Sequence, residues 1–307
     1  MRQSAAVSVP ATSANLGPGY DCLGLALAWR DRYAAEVRWA HSTAAASQPR
    51  VTVDVRGEGA EEVGGPDNLV ARALLTGLRR FGGPEPDELH LTCENTIPHG
   101  RGLGSSSAAI VGGLGLAREL LEADVDDAAL LELACEIEGH PDNVAPAVLG
   151  GVTISWTDED GRGRALRRSP HPDLSAVLAV PEFRLATAAA RRLLPEAVPL
   201  ADAVFNLSRA ALLVAALTDS PELLLAATED RLHQPHRAPA YAASMAMVTK
   251  SRLAGRAAVI SGAGPSVLLL TTDDPAVEAA AVAEYADPQW TLRAIAVSEQ
   301  GLRPEVQ

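Results

Sequence analysis

The chain has 307 residues, of which 47% are hydrophobic and 21% are charged. This length exceeds one typical domain and allows a core that needs neither disulfides nor a structural metal for its stability. The 26 basic and 39 acidic side chains give a formal net charge of −13. Because such a chain as a whole repels nucleic-acid phosphates and anionic lipids, we expect neither a nucleic-acid nor a membrane partner.

The cysteines and the N-terminal segment indicate the compartment. Cys22, Cys93 and Cys135 are too few for a disulfide framework and form no CxxC pair for zinc. The first nine residues contain one arginine and no long apolar core, unlike a secretory signal. No uncharged apolar stretch reaches the roughly 18 residues of a membrane-spanning helix. We therefore expect a cytoplasmic protein.

Alternating apolar residues predict strands on both sides of a polar loop near the N-terminus. Strand-like runs cover Val7–Val9 and Leu23–Leu27. The loop between them, Ser13–Asp21, is rich in the glycine, proline and asparagine typical of turns. Further strand-like runs follow at Tyr33–Trp39 and Val51–Val55.

Helical spacing then predicts three helices around a glycine-rich loop. The first covers Asn68–Phe81, and the second follows the loop Pro98–Ser107. The third covers Asp126–Glu138 and stops at the segment Gly139–Asn143. A strand is expected over Val152–Trp156.

A second set of elements follows the polar segment Asp158–Arg168, which would form a surface hairpin or a boundary. Predicted strands are Ser175–Val180, Ala257–Ser261, Val267–Leu270 and Leu292–Val297, and predicted helices are Thr187–Leu193, Ala201–Leu217, Pro221–Arg231 and Pro275–Tyr285. Two successive sets of mixed elements predict an α+β protein with two domains, residues 1–155 and 156–307.

The segment Pro98–Ala109 reads PHGRGLGSSSAA, with glycine at positions 100, 102 and 104. Glycine lets consecutive N–H groups converge on an anion, and the free N–H groups at a helix start attract phosphate. The segment lacks the lysine of a Walker A motif and the third glycine of GxGxxG. It predicts a phosphate site, and the alternative is a flexible turn with a serine N-cap.

Polar side chains are concentrated in Glu136–Pro146, which reads EIEGHPDNVAP. Mg²⁺ needs few protein ligands, because water and phosphate oxygens complete its coordination. One glutamate here and one serine of the glycine-rich loop would therefore suffice. The alternative is a solvated helix face for Glu136 and Glu138, followed by a simple turn at His140–Asp142.

Four further residues are candidates for contact with a small substrate. Asn15 and Asp21 lie in a loop after the first strand, where such residues often only close turns. Arg191 and Arg237 stand in apolar or helical surroundings, and a guanidinium suits a carboxylate, although each could be a surface arginine. The loop Ser261–Ser266 is interpreted as a tight hairpin turn.

The sequence resembles the GHMP kinase superfamily, named for galactokinase, homoserine kinase, mevalonate kinase and phosphomevalonate kinase. Five strings carry the resemblance: PATSANLGPGYDCLGLAL (Pro10–Leu27), GRGLGSSSAA (Gly100–Ala109), EGHPDNVAPAVLGG (Glu138–Gly151), HQPHR (His233–Arg237) and SGAGPS (Ser261–Ser266). Within the superfamily, the strings SANLGPGYD and HPDNVAP together resemble the corresponding motifs of the homoserine kinases. The resemblance covers essentially the whole chain and implies a two-domain α+β fold of the GHMP kinase type.

The resemblance also implies the site residues. ATP would bind Asn68, Pro98, His99, Gly100, Arg101, Gly102, Leu103, Gly104, Ser105, Ser106, Ser107 and Ala108. Mg²⁺ would bind Ser106 and Glu138, with Glu136 as the alternative. The substrate would contact Asn15, Asp21, His140, Asn143, Arg191 and Arg237, and the catalytic residues would be Asn143, Asp142 and Asp21. Tyr20 and Cys22 stand where many relatives have phenylalanine and serine.

The implied reaction transfers a phosphoryl group from Mg·ATP to the hydroxyl of L-homoserine, giving ADP and O-phospho-L-homoserine, a step toward threonine. The use of a general base stays open: mevalonate-type relatives have an aspartate near the position of Asp142, whereas homoserine kinases could act by positioning alone. Two other functions stay open as well, a kinase for mevalonate or another alcohol and a non-catalytic sensor of ATP and a metabolite. Relatives are often homodimers, and we expect the same here.

Overall fold

The structure, a computed structural model, describes residues 2–39, 49–65 and 67–305. Strands in this part of the chain form two sheets. The first sheet contains β1 (Arg2–Ala14), β2 (Leu23–Trp39), β3 (Arg50–Gly57), β4 (Pro86–Asn95), β5 (Val152–Thr157), β6 (Gly163–Arg168) and β11 (Arg303–Pro304), and the second contains β7 (Ser175–Val180), β8 (Ala257–Ile260), β9 (Val267–Thr271) and β10 (Thr291–Ala296).

Helices connect the strands and cover the sheets. They are α1 (Leu69–Arg80), α2 (Ser105–Leu121), α3 (Asp127–Glu138), α4 (Pro141–Leu149), α5 (Thr187–Arg191), α6 (Leu200–Thr218), α7 (Leu224–Ala227), α8 (Gln234–Arg237), α9 (Ala242–Leu253) and α10 (Pro275–Ala283). Short 3₁₀ helices lie at Pro221–Leu223 and Ala238–Ala240. The mixture of helices and sheets confirms the predicted α+β class.

The first sheet is organised around β2, whose 17 residues pair with β1, β4 and β5. The two strands predicted within this region are thus one strand with a bulge. Its pairing with β1 shifts register between Pro10 and Ala11, so that Ala28 and Trp29 of β2 have no partner on β1. β6 and β11 also belong to this sheet, so the sheet takes up segments both before and after residue 155. The division of the chain at residue 155 stays a prediction.

Side-chain caps explain why two predicted helices begin where they do. The Asn68 Oδ1 atom accepts hydrogen bonds from the N–H groups of Val70 and Ala71 at the start of α1. The Asp126 carboxylate accepts one from the N–H of Ala129 at the start of α3. These contacts confirm both helix starts.

The segment after α3 forms a further helix and not the simple turn that was the alternative interpretation. Gly139, with φ 90°, ends α3, and α4 begins two residues later. Pro141 occupies the first turn of α4, where its missing N–H is not needed and its fixed φ suits a helix. The helix presents His140, Asp142 and Asn143 from its first turn.

The helix predicted over Pro221–Arg231 was wrong beyond Ala227, where α7 ends. The reason is the buried carboxylate of Asp230, which accepts hydrogen bonds from the N–H groups of Leu232, His233 and Gln234. An aspartate that bonds the following N–H groups begins a new turn instead of continuing a helix. This turn leads into α8, which carries Arg237.

α6 is, by length and composition alone, long and apolar enough to cross a membrane. Buried helices of soluble proteins pass the same test, so this finding is weak. Two of its polar side chains bond residues beyond α7: Asn206 Nδ2 donates to Asp230 Oδ1 at 2.8 Å, and Arg209 Nε donates to Glu229 Oε2 at 2.8 Å.

Candidate active site

The loop from Pro98 to Gly104 joins β4 to the buried helix α2 and is held between two other segments. Gly102 and Gly104 have φ values of 71° and 70°, the left-handed region that favours glycine. A Cβ atom on Gly102 would lie 2.2 Å from the carbonyl oxygen of Ser261, and one on Gly104 would lie 1.9 Å from Thr12 Oγ1. Glycine is therefore required both by backbone conformation and by close contact.

The N-terminus of α2 leaves polar groups free. The first hydrogen bond within the helix runs from the N–H of Ala108 to the carbonyl of Gly104. No side chain caps this end, and in the described part of the chain no group accepts from the N–H groups of Ser105, Ser106 and Ser107. Such an arrangement attracts an anionic group such as phosphate.

Two cavities meet at this helix start. The first, of about 350 Å³, lies between α1 and the end of β4 and is lined by Tyr33, Glu62, Val63, Asn68, Leu69, His99, Ser105 and Ser106, among others. The second, of about 400 Å³, is lined by Asn15, Asp21, Leu103, Ser105, Ser106, Glu138, His140, Asp142, Asn143, Arg191 and Arg237, among others. Because both cavities share Ser105 and Ser106, a ligand that extended from one to the other would cross the free N–H groups of α2.

Glu138 faces the glycine-rich loop, whereas Glu136 does not. The hydroxyls of Ser106 and Ser107 donate to Glu138 Oε1 at 2.7 Å and 2.8 Å. Glu136, two positions earlier on α3, pairs with Arg80 instead. The hydrogen bond from Arg80 lowers the pKa of Glu136. Three oxygen-bearing side chains therefore converge where the two cavities meet.

The first turn of α4 brings a hydrogen-bonded pair, His140 and Asp142, next to Asn143. His140 Nδ1 lies 2.7 Å from Asp142 Oδ1, and this hydrogen bond raises the pKa of His140. The Asp142 side chain is buried, although the residue lines the second cavity. Asn143 lines the same cavity, and its Oδ1 accepts a hydrogen bond from Thr12 at 2.9 Å.

Two arginines line the second cavity, and they have different partners. Arg191 donates to both carboxylate oxygens of Asp21, at 2.9 Å and 3.0 Å. Burial lowers the pKa of Arg191, but the hydrogen bonds with Asp21 outweigh it and leave that pKa raised. Arg237 is buried, and its Nε has no hydrogen-bond partner among the described residues. Its Nη2 lies 3.4 Å from the hydroxyl of Tyr20.

Asn15 organises the loop between β1 and β2. Its Nδ2 donates to the carbonyl of Gly262, and its Oδ1 accepts from the N–H of Asp21, both at 2.9 Å. Asn15 and Asp21 have φ values of 68° and 53°, which asparagine and aspartate tolerate better than most residues. Asn15 thereby holds Asp21 against the segment that follows β8.

Several residues from the sequence analysis lie outside the cavity walls. Pro98 and Ala108 line neither cavity, and Arg101 turns away to donate to the carbonyls of Pro181 and Glu182. The Asn68 side chain lines the first cavity, but its polar atoms bond the backbone of Val63, Val70 and Ala71.

Sequence reasoning missed some of the lining residues. Glu62 and Val63 in the first cavity lie in a segment with no apolar pattern, which gave no signal. Gly262 and Ala263 line the second cavity from the turn between β8 and β9. That turn is a tight hairpin, as expected, and its two glycines were the signal for a close approach of backbone.

Comparison with known proteins agrees with this geometry. A family profile of the GHMP kinases N terminal domain matches residues 68–151, which include α1, the glycine-rich loop and α4. A homoserine kinase from Clavibacter michiganensis subsp. michiganensis is 51% identical over 305 residues, covering 98% of this chain and 93% of that protein. A homoserine kinase from Streptomyces coelicolor is 49% identical over 299 residues, covering 96% of this chain and 92% of that protein.

The chain belongs to the homoserine kinase family. A solved structure described as homoserine kinase from Cytophaga hutchinsonii agrees, with a TM-score of 0.84 and 26% identity over 99% of this chain and 98% of that one. The predicted membership of the GHMP kinase superfamily and the predicted fold are therefore confirmed. In this homoserine kinase family member, the described helix start and two cavities are the candidate active site.

Proposed function

We propose that this chain transfers the γ-phosphoryl group of ATP to the side-chain hydroxyl of L-homoserine, forming ADP and O-phospho-L-homoserine in threonine biosynthesis. One observation carries the proposal: two cavities share the free N–H groups at the start of α2, and the second of them ends in a buried, unpaired arginine. The triphosphate of ATP would bind the free N–H groups at the helix start, and the carboxylate of an amino acid would pair with the arginine.

The nucleotide would enter the first cavity. Its walls combine apolar groups such as Val63 and Leu69 with the polar ring of His99. With a base in this cavity, the triphosphate would run along Ser105 and Ser106 toward the second cavity. The N–H groups and the dipole of α2 would then stabilise the charge that develops during transfer.

The oxygens around the helix start suit Mg²⁺. The hydroxyls of Ser106 and Ser107 converge on the Glu138 carboxylate, and these are the hard oxygen donors that Mg²⁺ prefers. Among the described residues no cluster of three or more histidine, cysteine, aspartate or glutamate side chains could hold a metal. We infer that Ser106 and Glu138 would hold Mg²⁺ together with phosphate oxygens, and that Glu136 would not. When bound, the ion would neutralise phosphate charge.

The amino acid would occupy the second cavity with its carboxylate toward Arg237 and Arg191. A buried guanidinium without a carboxylate partner favours an anionic ligand, because an unpaired buried charge is costly. Asp21 is the carboxylate at this end, and it would accept the ammonium group of the substrate. A plain hydroxy acid would offer Asp21 no such partner, which favours homoserine over mevalonate.

Transfer itself would require positioning more than covalent help. A bond would form between the homoserine oxygen and the γ-phosphorus, and the bond from that phosphorus to the β–γ bridging oxygen would break, which releases ADP. The hydroxyl proton would pass to an oxygen of the transferred phosphoryl group. Asn143 would orient the hydroxyl from the first turn of α4. Asp142 is occupied by its hydrogen bond to His140, so we infer that it holds the imidazole ring in place rather than serving as the base.

Turnover of three alcohols by the purified chain tests the proposal. ADP release with Mg·ATP is measured with homoserine, mevalonate and shikimate, and the phosphorylated product is identified by ³¹P NMR. We expect phosphohomoserine only. Turnover of mevalonate alone would reassign the substrate. Binding of ATP without turnover of any alcohol would indicate a sensor instead of a kinase.

Two further expectations accompany this function, a cytoplasmic location and a homodimer. Leu200, Val204 and Leu207 are exposed on one face of α6, and such an apolar stripe supports a contact with a second copy. Light scattering should then report a dimer that Leu207→Glu dissociates. Leu253→Glu, at an exposed leucine on α9, is the matched control and should leave the dimer intact.

A further inference from the structure

Thr12 lies at the point where β1, the glycine-rich loop and α4 meet. Its side chain is fully buried. Its backbone N–H donates to the carbonyl of Leu103 at 3.1 Å, and its Oγ1 is the atom that a Cβ on Gly104 would approach at 1.9 Å. Thr12 itself lines neither cavity.

The hydroxyl of Thr12 donates to Oδ1 of Asn143 at 2.9 Å, across 131 positions in sequence. An asparagine side chain can present either its oxygen or its NH₂ group to a site, and the two orientations differ by a rotation of half a turn. Because the hydroxyl holds Oδ1, the NH₂ group of Asn143 is left for the second cavity. No described residue accepts a hydrogen bond from Nδ2.

We propose that Thr12 is a positioning residue, whose hydroxyl anchors the Asn143 side chain in the observed orientation, with its NH₂ group free for the reacting oxygens. This inference rests on the proposed phosphoryl transfer. Both the homoserine hydroxyl and the γ-phosphate present oxygen acceptors, and developing negative charge strengthens a hydrogen bond from NH₂. In the opposite orientation, the carbonyl oxygen of Asn143 would face these oxygens, and their partial negative charges would repel each other.

A purely structural role makes a different prediction. Thr12 is a small buried residue on β1, and valine has nearly the same shape and the same preference for strands. A packing role would therefore survive Thr12→Val, whereas a hydrogen-bonding role would not. Thr12→Ser retains the hydroxyl and loses only the methyl group.

The experiment is a double-mutant cycle of Thr12→Val with Asn143→Ala, measured as kcat and KM for homoserine and ATP. We expect Thr12→Val to lower kcat about 10- to 100-fold, in the range found for single oriented donors or supporting side chains, and to change either KM by less than about 3-fold. Thr12→Ser should restore kcat to within about 3-fold of wild type. In the Asn143→Ala background, Thr12→Val should have no further effect.

Three results would overturn the inference: wild-type kcat in Thr12→Val, equal losses in Thr12→Val and Thr12→Ser, or the same fold-loss with and without Asn143. Wild-type turnover of homoserine is measured first, so failure of the proposed function is recognised separately. The side-chain amide signals of Asn143 in ¹⁵N NMR spectra provide a readout without substrate. They should be sharp in wild type and Thr12→Ser and broadened or shifted in Thr12→Val, and unchanged signals would also contradict the inference.

Discussion

The guanidinium group of Arg237 lies 5.1 Å from the ring centroid of Tyr20, and its Nη2 lies 3.4 Å from the tyrosine hydroxyl. The ring face and the hydroxyl attract a cation but do not neutralise it. The guanidinium is thus held in place while its charge stays available to a ligand. The hydroxyl is absent where phenylalanine occupies this position.

Arg237→Leu should raise KM for homoserine strongly and leave KM for ATP near the wild-type value. Loss of one partner of a buried charge pair costs about 2–5 kcal/mol, which is on the order of 30-fold or more in affinity. Steady-state kinetics in both substrates measure the two effects. Arg252→Leu is the control, because Arg252 is a partly buried arginine that lines neither cavity. An equal loss of ATP affinity in Arg237→Leu would contradict the assignment.

Glu138→Gln should raise the Mg²⁺ concentration that gives half-maximal activity by about 10- to 100-fold, the range typical of altered metal shells. Glu136→Gln should leave it unchanged, because Glu136 is exposed and pairs with Arg80. Activity is titrated against Mg²⁺ at saturating ATP and homoserine. A shift in Glu136→Gln that equals the shift in Glu138→Gln would contradict the assignment of the metal to Glu138 alone.

Glu136 and Glu138 show how much of the candidate site could be predicted from the sequence alone. The spacing of glycines is a local property, so it predicted a loop with left-handed backbone before a helix. Residues two apart on a helix face different directions, however, and which of Glu136 and Glu138 faces the loop depends on how α3 packs. Only tertiary structure decides that choice.

The same limit explains the other omissions. Thr12 and Asn143 are 131 positions apart, and no local pattern connects them. The sequence predicts no helix at α4, because a proline locally favours a turn, although Pro141 is compatible with the first turn of a helix. The walls of the first cavity come from segments whose residues have no periodicity, so their positions follow from the packing of α1 and α2.

Gly104→Ala should destabilise the protein and abolish ATP binding, and Gly161→Ala should do neither to a comparable degree. Both glycines have left-handed φ values, 70° and 79°, so alanine costs roughly 1–2 kcal/mol at either position. A Cβ on Gly104 would meet Thr12 Oγ1 at 1.9 Å, whereas one on Gly161 would meet nothing within 4 Å. The clash should add about 1–3 kcal/mol, as overpacking typically does.

Urea unfolding and nucleotide titration measure these two effects. The Gly161 variant corrects for the backbone cost, so the difference between the variants reports the contact with Thr12. Equal free energies of unfolding and equal ATP affinities for both variants would mean that β1 and the loop are not held as close together as described.

Stability should depend on pH through His140. Its hydrogen bond to Asp142 raises the pKa of the imidazole above 6.5 in the folded protein. A group whose folded pKa is raised contributes stability that is fully present below its unfolded pKa, about 6.5, and is lost as pH rises through the folded pKa. The free energy of unfolding of wild type should therefore exceed that of His140→Gln at about pH 6, and the excess should shrink toward about pH 8.5.

Chemical denaturation at several pH values measures this difference, and NMR titration of the His140 ring measures the pKa directly. Asp142→Asn should return the pKa toward its ordinary value, because a neutral amide no longer favours the imidazolium. His90→Gln, on β4 and outside both cavities, controls for general effects of removing a histidine. A His140 pKa at or below 6.5 in wild type would contradict the pairing, because burial alone shifts a histidine in that direction.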